Sequence, residues 1–495
     1  MTSVEAGASG VAPQHTNNGE ENIYPNYLAA FHKGLPHNEF GEVDPEAYRR
    51  LLRALSSRSP EEFEKVPLGT PDGARLVNPL SGLMSYPEGP ESHEFVVPPA
   101  PRLDSAENAA EVAELYWMAH TRDVPFTAFE TDPVVAAAAQ ELGGLSGRTF
   151  LRADGVVTPR TVFRGPTPGD TTGPFVSQFL LKDLQFGTHR NDQRQDTVRP
   201  GQDYVTTFET WLRVQNGLPR GLKAEDRDRV NTRFIQTPRD LTHYVHFDAA
   251  QNPFQPFFNA ALVLQDLGMP LDGNLPYRWS KTQDPFATFG FPHLYDLVTD
   301  LSTRALRTVW YQKWWVHRRL RPEAHGGLLH NHLTGRRSYD FLHPELVGSA
   351  AVARAHSRYG TYLLPQAFPE GSPLHPSYAA GHATVAGACA TILKAWFDET
   401  AVLPDPVVPS ADGRTLVPYT GPDAGDLTVG GEINKLAANI ATGRNMGGVH
   451  YRSDFLASVR LGEQLAIEVL RRQKSWFAEN HSFTLTRFDG QAITI

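Results

Sequence analysis

Apolar residues recur at helical spacing in seven stretches of this 495-residue chain: 206–215, 256–267, 293–316, 346–363, 381–398, 431–443 and 453–472. That periodicity predicts an all-α, mainly α fold, with helical bundles packed through their apolar faces. Strand signals are short and tied to turns. Asp154-Gly155 sits between Thr149–Leu151 and Val156–Val162, and Asp412-Gly413 marks a second hairpin. Asp489-Gly490 joins Phe483–Thr486 to Ala492–Ile495 in a third.

The first third of the chain is less regular. Residues 1–22 are polar and rich in Gly and Asn, which predicts a flexible N-terminal arm. Asp44-Pro45 opens a helix through Leu55. Val66–Leu103, rich in Pro and Gly, reads as extended surface wrapping. Ser105 caps a helix carrying Val112, Leu115, Tyr116 and Ala119, and Val135–Leu142 continues helically to Gly143-Gly144. The expected organisation is one domain over 23–495: a wrapping part over 23–200, a helical core over 201–475 and a hairpin over 483–495.

Charge narrows the function classes. With 46 Lys and Arg against 55 Asp and Glu, the net charge is −9, which disfavours nucleic acid and anionic membranes as partners. Any anion must be held by a focused site. Cys389, the only cysteine, excludes an intrachain disulfide and reads as a small buried hydrophobe among Ala388, Ala390, Ile392 and Leu393. Met1–Tyr24 has no apolar signal core and no apolar run approaches membrane-spanning length, so a cytoplasmic location is the default expectation.

Three motifs supply such a site. The first is Lys313-Trp-Trp-Val-His-Arg-Arg-Leu-Arg321-Pro322. Pro322 is expected to end the long helix, with Arg321 pushed towards an extended conformation, so Lys313 and Arg321 can converge from a helix end and the following loop. The second is His375-Pro-Ser-Tyr-Ala-Ala380-Gly381-His382, where Gly381 opens an apolar helix whose free N–H groups suit an oxyanion. The third is Arg444-Asn-Met-Gly-Gly-Val-His450-Tyr-Arg-Ser-Asp454. Gly447-Gly448 breaks a helix there and places His450 on a turn. Taken singly, these read as a solvated basic helix end, a Pro/Gly loop and a weak spacing match. Together they offer two arginines and a lysine to clamp a tetrahedral oxyanion. The two histidines add a ligand or nucleophile and a general acid/base. The set lacks the carboxylates and His spacing of a zinc site.

The order Lys-x7-Arg-Pro, then Gly-His in a His-Pro-Ser-Tyr context, then Arg-x5-His-x3-Asp resembles the signature of the vanadium-dependent haloperoxidases, whose core is shared with PAP2-type phosphatases. The bromoperoxidase branch of red algae and cyanobacteria is most similar. Phe31-His-Lys-Gly-Leu-Pro-His37, Phe163-Arg-Gly-Pro-Thr-Pro-Gly-Asp170 and Gly360-Thr-Tyr-Leu-Leu-Pro365 extend the likeness over nearly the whole chain from about Asn22. The resemblance implies a vanadate cofactor bonded to His450, its oxygens held by Lys313, Arg321, Arg444 and the Gly381 N–H. His382 would assist deprotonation of hydrogen peroxide, and Lys313 would polarise the peroxide for halide attack. Many relatives carry serine where this chain has Ala380, a loss of one hydrogen bond worth about 0.5–1.5 kcal/mol. His375 matches the bromoperoxidases and favours bromide and iodide over chloride. An organic acceptor, a homo-oligomer (a dimer or larger, up to a dodecamer) and a structural calcium ion whose ligands the sequence does not place are implied in the same way.

Other signals carry less. Thr242-His-Tyr-Val-His-Phe-Asp248 lacks a fourth metal ligand nearby, and one of its polar residues can instead brace an active-site arginine. His330-Asn-His332 reads as a loop. Trp310, Trp314 and Trp315 read as core or channel wall. Asp454 can orient His450 or an arginine, or cap the next helix. Two rival functions remain at this point: a phosphatase with His450 as phosphoryl acceptor, and a non-catalytic oligomeric oxyanion-binding protein.

Overall fold

Side-chain caps set the first long helices. Asp44 accepts from the N–H groups of Glu46 (2.8 Å) and Ala47 (2.9 Å), with Pro45 in the first turn, and starts α1 (Pro45–Ser57). Ser105 starts α2 (Ala106–His120) through Asn108 N–H, and Asp132 starts α3 (Pro133–Gly144). The computed structural model describes residues 13–218 and 227–495, without the side chains of 227–230 and 248–251.

The chain continues through α4 (Phe208–Gln215), α5 (Pro238–Gln251), α6 (Gln255–Asp266) and α7 (Phe291–Tyr311). Then come α8 (Pro322–Leu333), α9 (Ala350–Tyr359), α10 (Gly381–Trp396), α11 (Val429–Met446) and α12 (Arg452–Gln473). The expected 346–363 helix is divided: a short turn, Pro344–Val347, stops at Gly348 and α9 restarts at Ala350.

At the centre lies α10, with every residue except His382 buried. It packs against α7, α11 and α12, and α5 packs against α11. Two glycines permit the tightest crossing. A Cβ on Gly387 would meet the Val459 carbonyl oxygen at 2.0 Å, and one on Gly462 would meet the Thr384 carbonyl oxygen at 2.0 Å. Only hydrogen at both positions lets α10 and α12 approach so closely. One continuous apolar core runs from Tyr24 to Ile495 through these helices. A second cluster joins Ala30–Val66 to Trp314, placing the N-terminal part directly against the end of α7.

Among the described residues, strands form four separate antiparallel pairs: β1 (Leu184–Phe186) with β2 (His189–Asn191), and β3 (Gln195–Val198) with β4 (Arg227–Arg233). The others are β5 (Val407–Pro409) with β6 (Leu416–Pro418), and β7 (Thr484–Thr486) with β8 (Ala492–Thr494). The last two flank Asp412-Gly413 and Asp489-Gly490 as the sequence predicts.

Four expectations need correction. There is no hairpin at 149–162: Arg148–Leu151 is a helical turn, and Asp154 turns the chain locally by accepting from Val156 N–H (3.0 Å). Of the predicted arm, residues 1–12 lie outside the described residues, but 13–22 pack down. Asn17 donates to the Val316 carbonyl (2.9 Å), and buried Glu20 accepts from Leu103 N–H. Pro322 opens α8 instead of ending α7, because α7 closes earlier in a π turn over Gln312–His317. His330-Asn-His332 lies in α8, and its histidines accept backbone N–H groups of Tyr362 (3.2 Å) and Tyr339 (3.1 Å). Among the described residues no helix is long and apolar enough to cross a membrane.

Candidate active site

The π turn places Lys313. Its wider i→i+5 hydrogen bonding, with Arg318 N–H on the Lys313 carbonyl (3.0 Å), is a distortion that recurs at functional sites. Lys313 is buried and donates from Nζ to the carbonyls of Pro376 and Ser377, both at 2.8 Å. The chain then turns through Arg318 in the left-handed region (φ 42°) and is extended at Arg321. That buried guanidinium donates to the carbonyls of His375 (2.8 Å) and Val449 (2.7 Å), to His375 Nδ1 (2.9 Å) and to His450 Nε2 (3.1 Å). Arg444, in the last turn of α11, donates to His246 Nδ1 (2.9 Å), while its buried Nε has no protein partner.

These three cations differ from the ion-paired arginines of the core. Buried Arg122, Arg239, Arg319 and Arg452 each pair with a carboxylate. Among the described residues, Lys313, Arg321 and Arg444 pair with none. Burial pushes Lys313 well below the ordinary lysine range, and the charges of Arg321 and Arg444 push it further. Burial likewise lowers Arg321 to about 9 and Arg444 to about 10, against partial support from Asp454 and Glu370 respectively. Three uncompensated positive charges in a low-dielectric enclosure are unfavourable without an anion between them.

Three imidazoles lie at this cluster. His450 Nδ1 donates to Asp454 Oδ2 (2.7 Å), which fixes the tautomer and leaves the Nε2 lone pair directed at Arg321. Burial and the Arg321 charge hold His450 well below its usual value, so the ring is neutral. His382, in the first turn of α10, contacts the Val245 carbonyl through Nε2 (3.1 Å), which leaves Nδ1 as the acceptor. Burial, then Arg444 and His450, keep it neutral too. His375 lies against Trp310 (ring centroids 4.8 Å) and is held neutral by burial and Arg321.

The α10 N-terminus lies beside the cluster: a Cβ on Gly381 would meet Trp310, the ring that packs on His375. Ala380 is the N-cap and makes no side-chain cap, so the N–H groups beginning at Gly381 have no intrahelical partner. Helix N-termini of this kind stabilise anions. The structure thus brings Lys313, Arg321, Arg444, Gly381, His382, His375 and His450 into one cluster. Asp454 stands behind His450 and also caps α12 by accepting from Tyr451 N–H (3.1 Å). In donor type, charge and enclosure, the cluster fits a tetrahedral oxyanion.

Comparison with known proteins places the chain. It is 35% identical over 578 aligned residues to a vanadium-dependent bromoperoxidase of Corallina pilulifera, an alignment covering 98% of this chain and 95% of that protein. The chain belongs to the vanadium-dependent haloperoxidases. Identity to a vanadium-dependent bromoperoxidase of Ascophyllum nodosum is 38% over 504 residues, covering 97% of this haloperoxidase and 88% of that one. The family model for the VCPO second helical-bundle domain matches residues 302–479, the span that carries all three motifs. The fold superposes on the homohexameric second vanadate-dependent bromoperoxidase of A. nodosum with a TM-score of 0.90 and 33% identity. That match covers 98% of this chain and 87% of that one.

Sequence reasoning about this haloperoxidase missed the supporting layer. Arg319 reaches Asp454 Oδ1 (3.0 Å) and Glu111 (2.6 Å), and Ser377 donates to Asp454 Oδ2. Arg319 lies inside the first motif and Ser377 inside the second, so both were in view without a role. Glu111, on α2, carries no sequence signal at all. In the Thr242–Asp248 segment, His246 contacts Arg444, and the Asp248 side chain lies outside the described residues. Among the described residues no three His, Cys, Asp or Glu side chains are placed to hold a metal ion, so the calcium expectation gains no ligand set.

Proposed function

We propose that this chain is a vanadate-dependent haloperoxidase that oxidises bromide or iodide with hydrogen peroxide to a hypohalous acid, which halogenates an organic acceptor. The observation that carries the reading is the cluster of three buried cations without carboxylate partners, among the described residues, around three neutral imidazoles. Vanadate is the cofactor that the bromoperoxidase relatives name, and its tetrahedral oxyanion suits this donor set. Lys313, Arg321, Arg444 and the Gly381 N–H would hold its oxygens, and His450 Nε2 would bond the vanadium. Bound vanadate supplies a Lewis acid that activates hydrogen peroxide without changing oxidation state.

The residues divide the remaining work. Asp454 holds the His450 ring with Nε2 inward. His382 keeps Nδ1 available to accept a proton from incoming peroxide, and burial, followed by the charge of Arg444, favours the neutral, proton-accepting form at neutral pH. Lys313 Nζ, fixed by two carbonyls, directs a positive charge at the peroxide oxygen that the halide attacks. One peroxide oxygen leaves on bromide as hypobromous acid, the other leaves as water, and one proton is consumed. His375, locked on Arg321 and Trp310, is the selectivity position for bromide and iodide. Assembly as a homo-oligomer, a dimer or larger, belongs to the same proposal, since the A. nodosum relative is homohexameric.

A parallel assay tests it. Purified apoprotein with added orthovanadate is assayed for peroxide-dependent bromination and for hydrolysis of an aryl phosphate. Bromination rising with vanadate is expected. Hydrolysis that vanadate blocks, without bromination, would make the chain a phosphatase.

A further inference from the structure

Arg444 is held differently from the other two cations. Backbone carbonyls fix Lys313 and Arg321, whereas among the described residues the one hydrogen bond fixing the Arg444 guanidinium is that to His246 Nδ1 at 2.9 Å. The imidazole is itself constrained on two further sides. Its Nε2 meets Glu370 Oε1 at 2.9 Å, and its ring stacks on Phe368 with centroids 3.7 Å apart and planes at 16°. A carboxylate on Nε2 places the proton there and leaves Nδ1 as the acceptor for the guanidinium.

The backbone is arranged to make this contact. Thr242 Oγ1 donates to the Gly443 carbonyl (3.1 Å), one residue before Arg444. A Cβ on Gly443 would meet Val245 Cγ2 at 2.9 Å, so its absence lets α5 lie against α11 closely enough for His246 to reach Arg444. The neighbouring Val245 carbonyl is the one that His382 contacts. One turn of α5 therefore anchors two side chains of the site.

We propose that His246 is a positioning residue for Arg444, with Glu370 fixing its tautomer, and that together they set the affinity of the site for tetrahedral oxyanions; this rests on the oxyanion-binding reading above. The imidazole acts as a spacer. Glu370 supports the positive charge of Arg444 from beyond the ring but does not take the guanidinium into an ion pair that would compete with the anion. A neutral acceptor leaves the charge available.

Isothermal titration of the apoprotein with orthovanadate, and separately with inorganic phosphate, tests this without any turnover. H246F preserves the stack on Phe368 and removes the acceptor; both anions are expected to bind about tenfold more weakly or worse. H246N places an amide oxygen near the former Nδ1 and is expected to stay within about threefold of wild type. Thermal unfolding of the two variants is expected to match. Should H246F fail to fold, H246Q, whose amide oxygen cannot occupy the Nδ1 position, replaces it. Equal binding by wild type and H246F overturns the inference, as does equal loss in H246F and H246N. Wild type binding neither anion would overturn the oxyanion reading itself, and this inference with it.

Discussion

Asp454 concentrates four hydrogen bonds on one carboxylate, from His450 Nδ1 (2.7 Å), Tyr451 N–H (3.1 Å), Arg319 Nη1 (3.0 Å) and Ser377 Oγ. Burial alone would raise its pKa, but the hydrogen bond from His450 and the charge of Arg319 hold it well below the usual carboxylate range. It therefore stays ionised and keeps His450 in one tautomer. D454N is expected to weaken orthovanadate binding by about 10- to 100-fold in a calorimetric titration; unchanged affinity would remove Asp454 from any orienting role. Ala380 makes the opposite prediction. A hydroxyl there would add about one neutral hydrogen bond, so A380S is expected to bind vanadate about 2- to 10-fold more tightly. Unaltered affinity with raised thermal stability would instead assign the new hydroxyl to capping α10. The site's charged residues were legible because their types and spacing are informative by themselves. The polar residues of Thr242–Asp248 already suggest a brace for an active-site arginine, whereas Glu370 and Glu111 give no signal, since each acts through a partner more than a hundred residues away.

At the scale of elements, helices with one apolar face were legible and two others were not. α5 buries Arg239, Asp240, Thr242 and His243 together with Leu241, Tyr244 and Val245, so polar and apolar residues share its buried surface and the apolar periodicity is lost. α8 is buried over almost its whole length, Pro322 to Asn331, and so lacks a polar face to contrast with an apolar one. Asp154-Gly155 misled for another reason: it turns the chain, but the residues before it form a helical turn. Ion pairs tie these elements to the rest. Arg122, just past α2, pairs with Asp203 (2.7 Å) and also donates to the carbonyls of Met446 (2.8 Å) and Pro365 (2.7 Å) beside the His450 turn. Burial opposes ionisation of Asp203, yet Arg122, Arg239 and Tyr359 lower its pKa from 3.8 to about 2. A depressed acid pKa stabilises the fold above the unfolded value, here by about 2 kcal/mol, and that contribution disappears as pH falls from about 4 towards 2. Urea unfolding of D203N at pH 7 is expected to show a loss of about 3 kcal/mol, because Arg122 is left buried without its partner. The gap to wild type should narrow below about pH 4. A gap independent of pH would contradict the ion pair as its source.

Across the whole molecule, a chain of net charge −9 gathers in one cluster three buried cations that, among the described residues, form no carboxylate ion pair. Residues from Lys313 to Asp454 supply the inner layer, while α2, α5 and the N-terminal segment supply contacts behind it. No single motif could specify this arrangement. The Gly387–Gly462 crossing of α10 and α12 fixes how the helix bearing Gly381 and His382 lies on the helix following His450. The direct test is an experimental structure of the protein soaked with orthovanadate. Vanadium is expected to be joined to His450 Nε2, with its oxygens within hydrogen-bonding distance of Lys313, Arg321, Arg444 and the Gly381 N–H. Vanadate bound elsewhere, with His450 Nε2 still on Arg321, would contradict it.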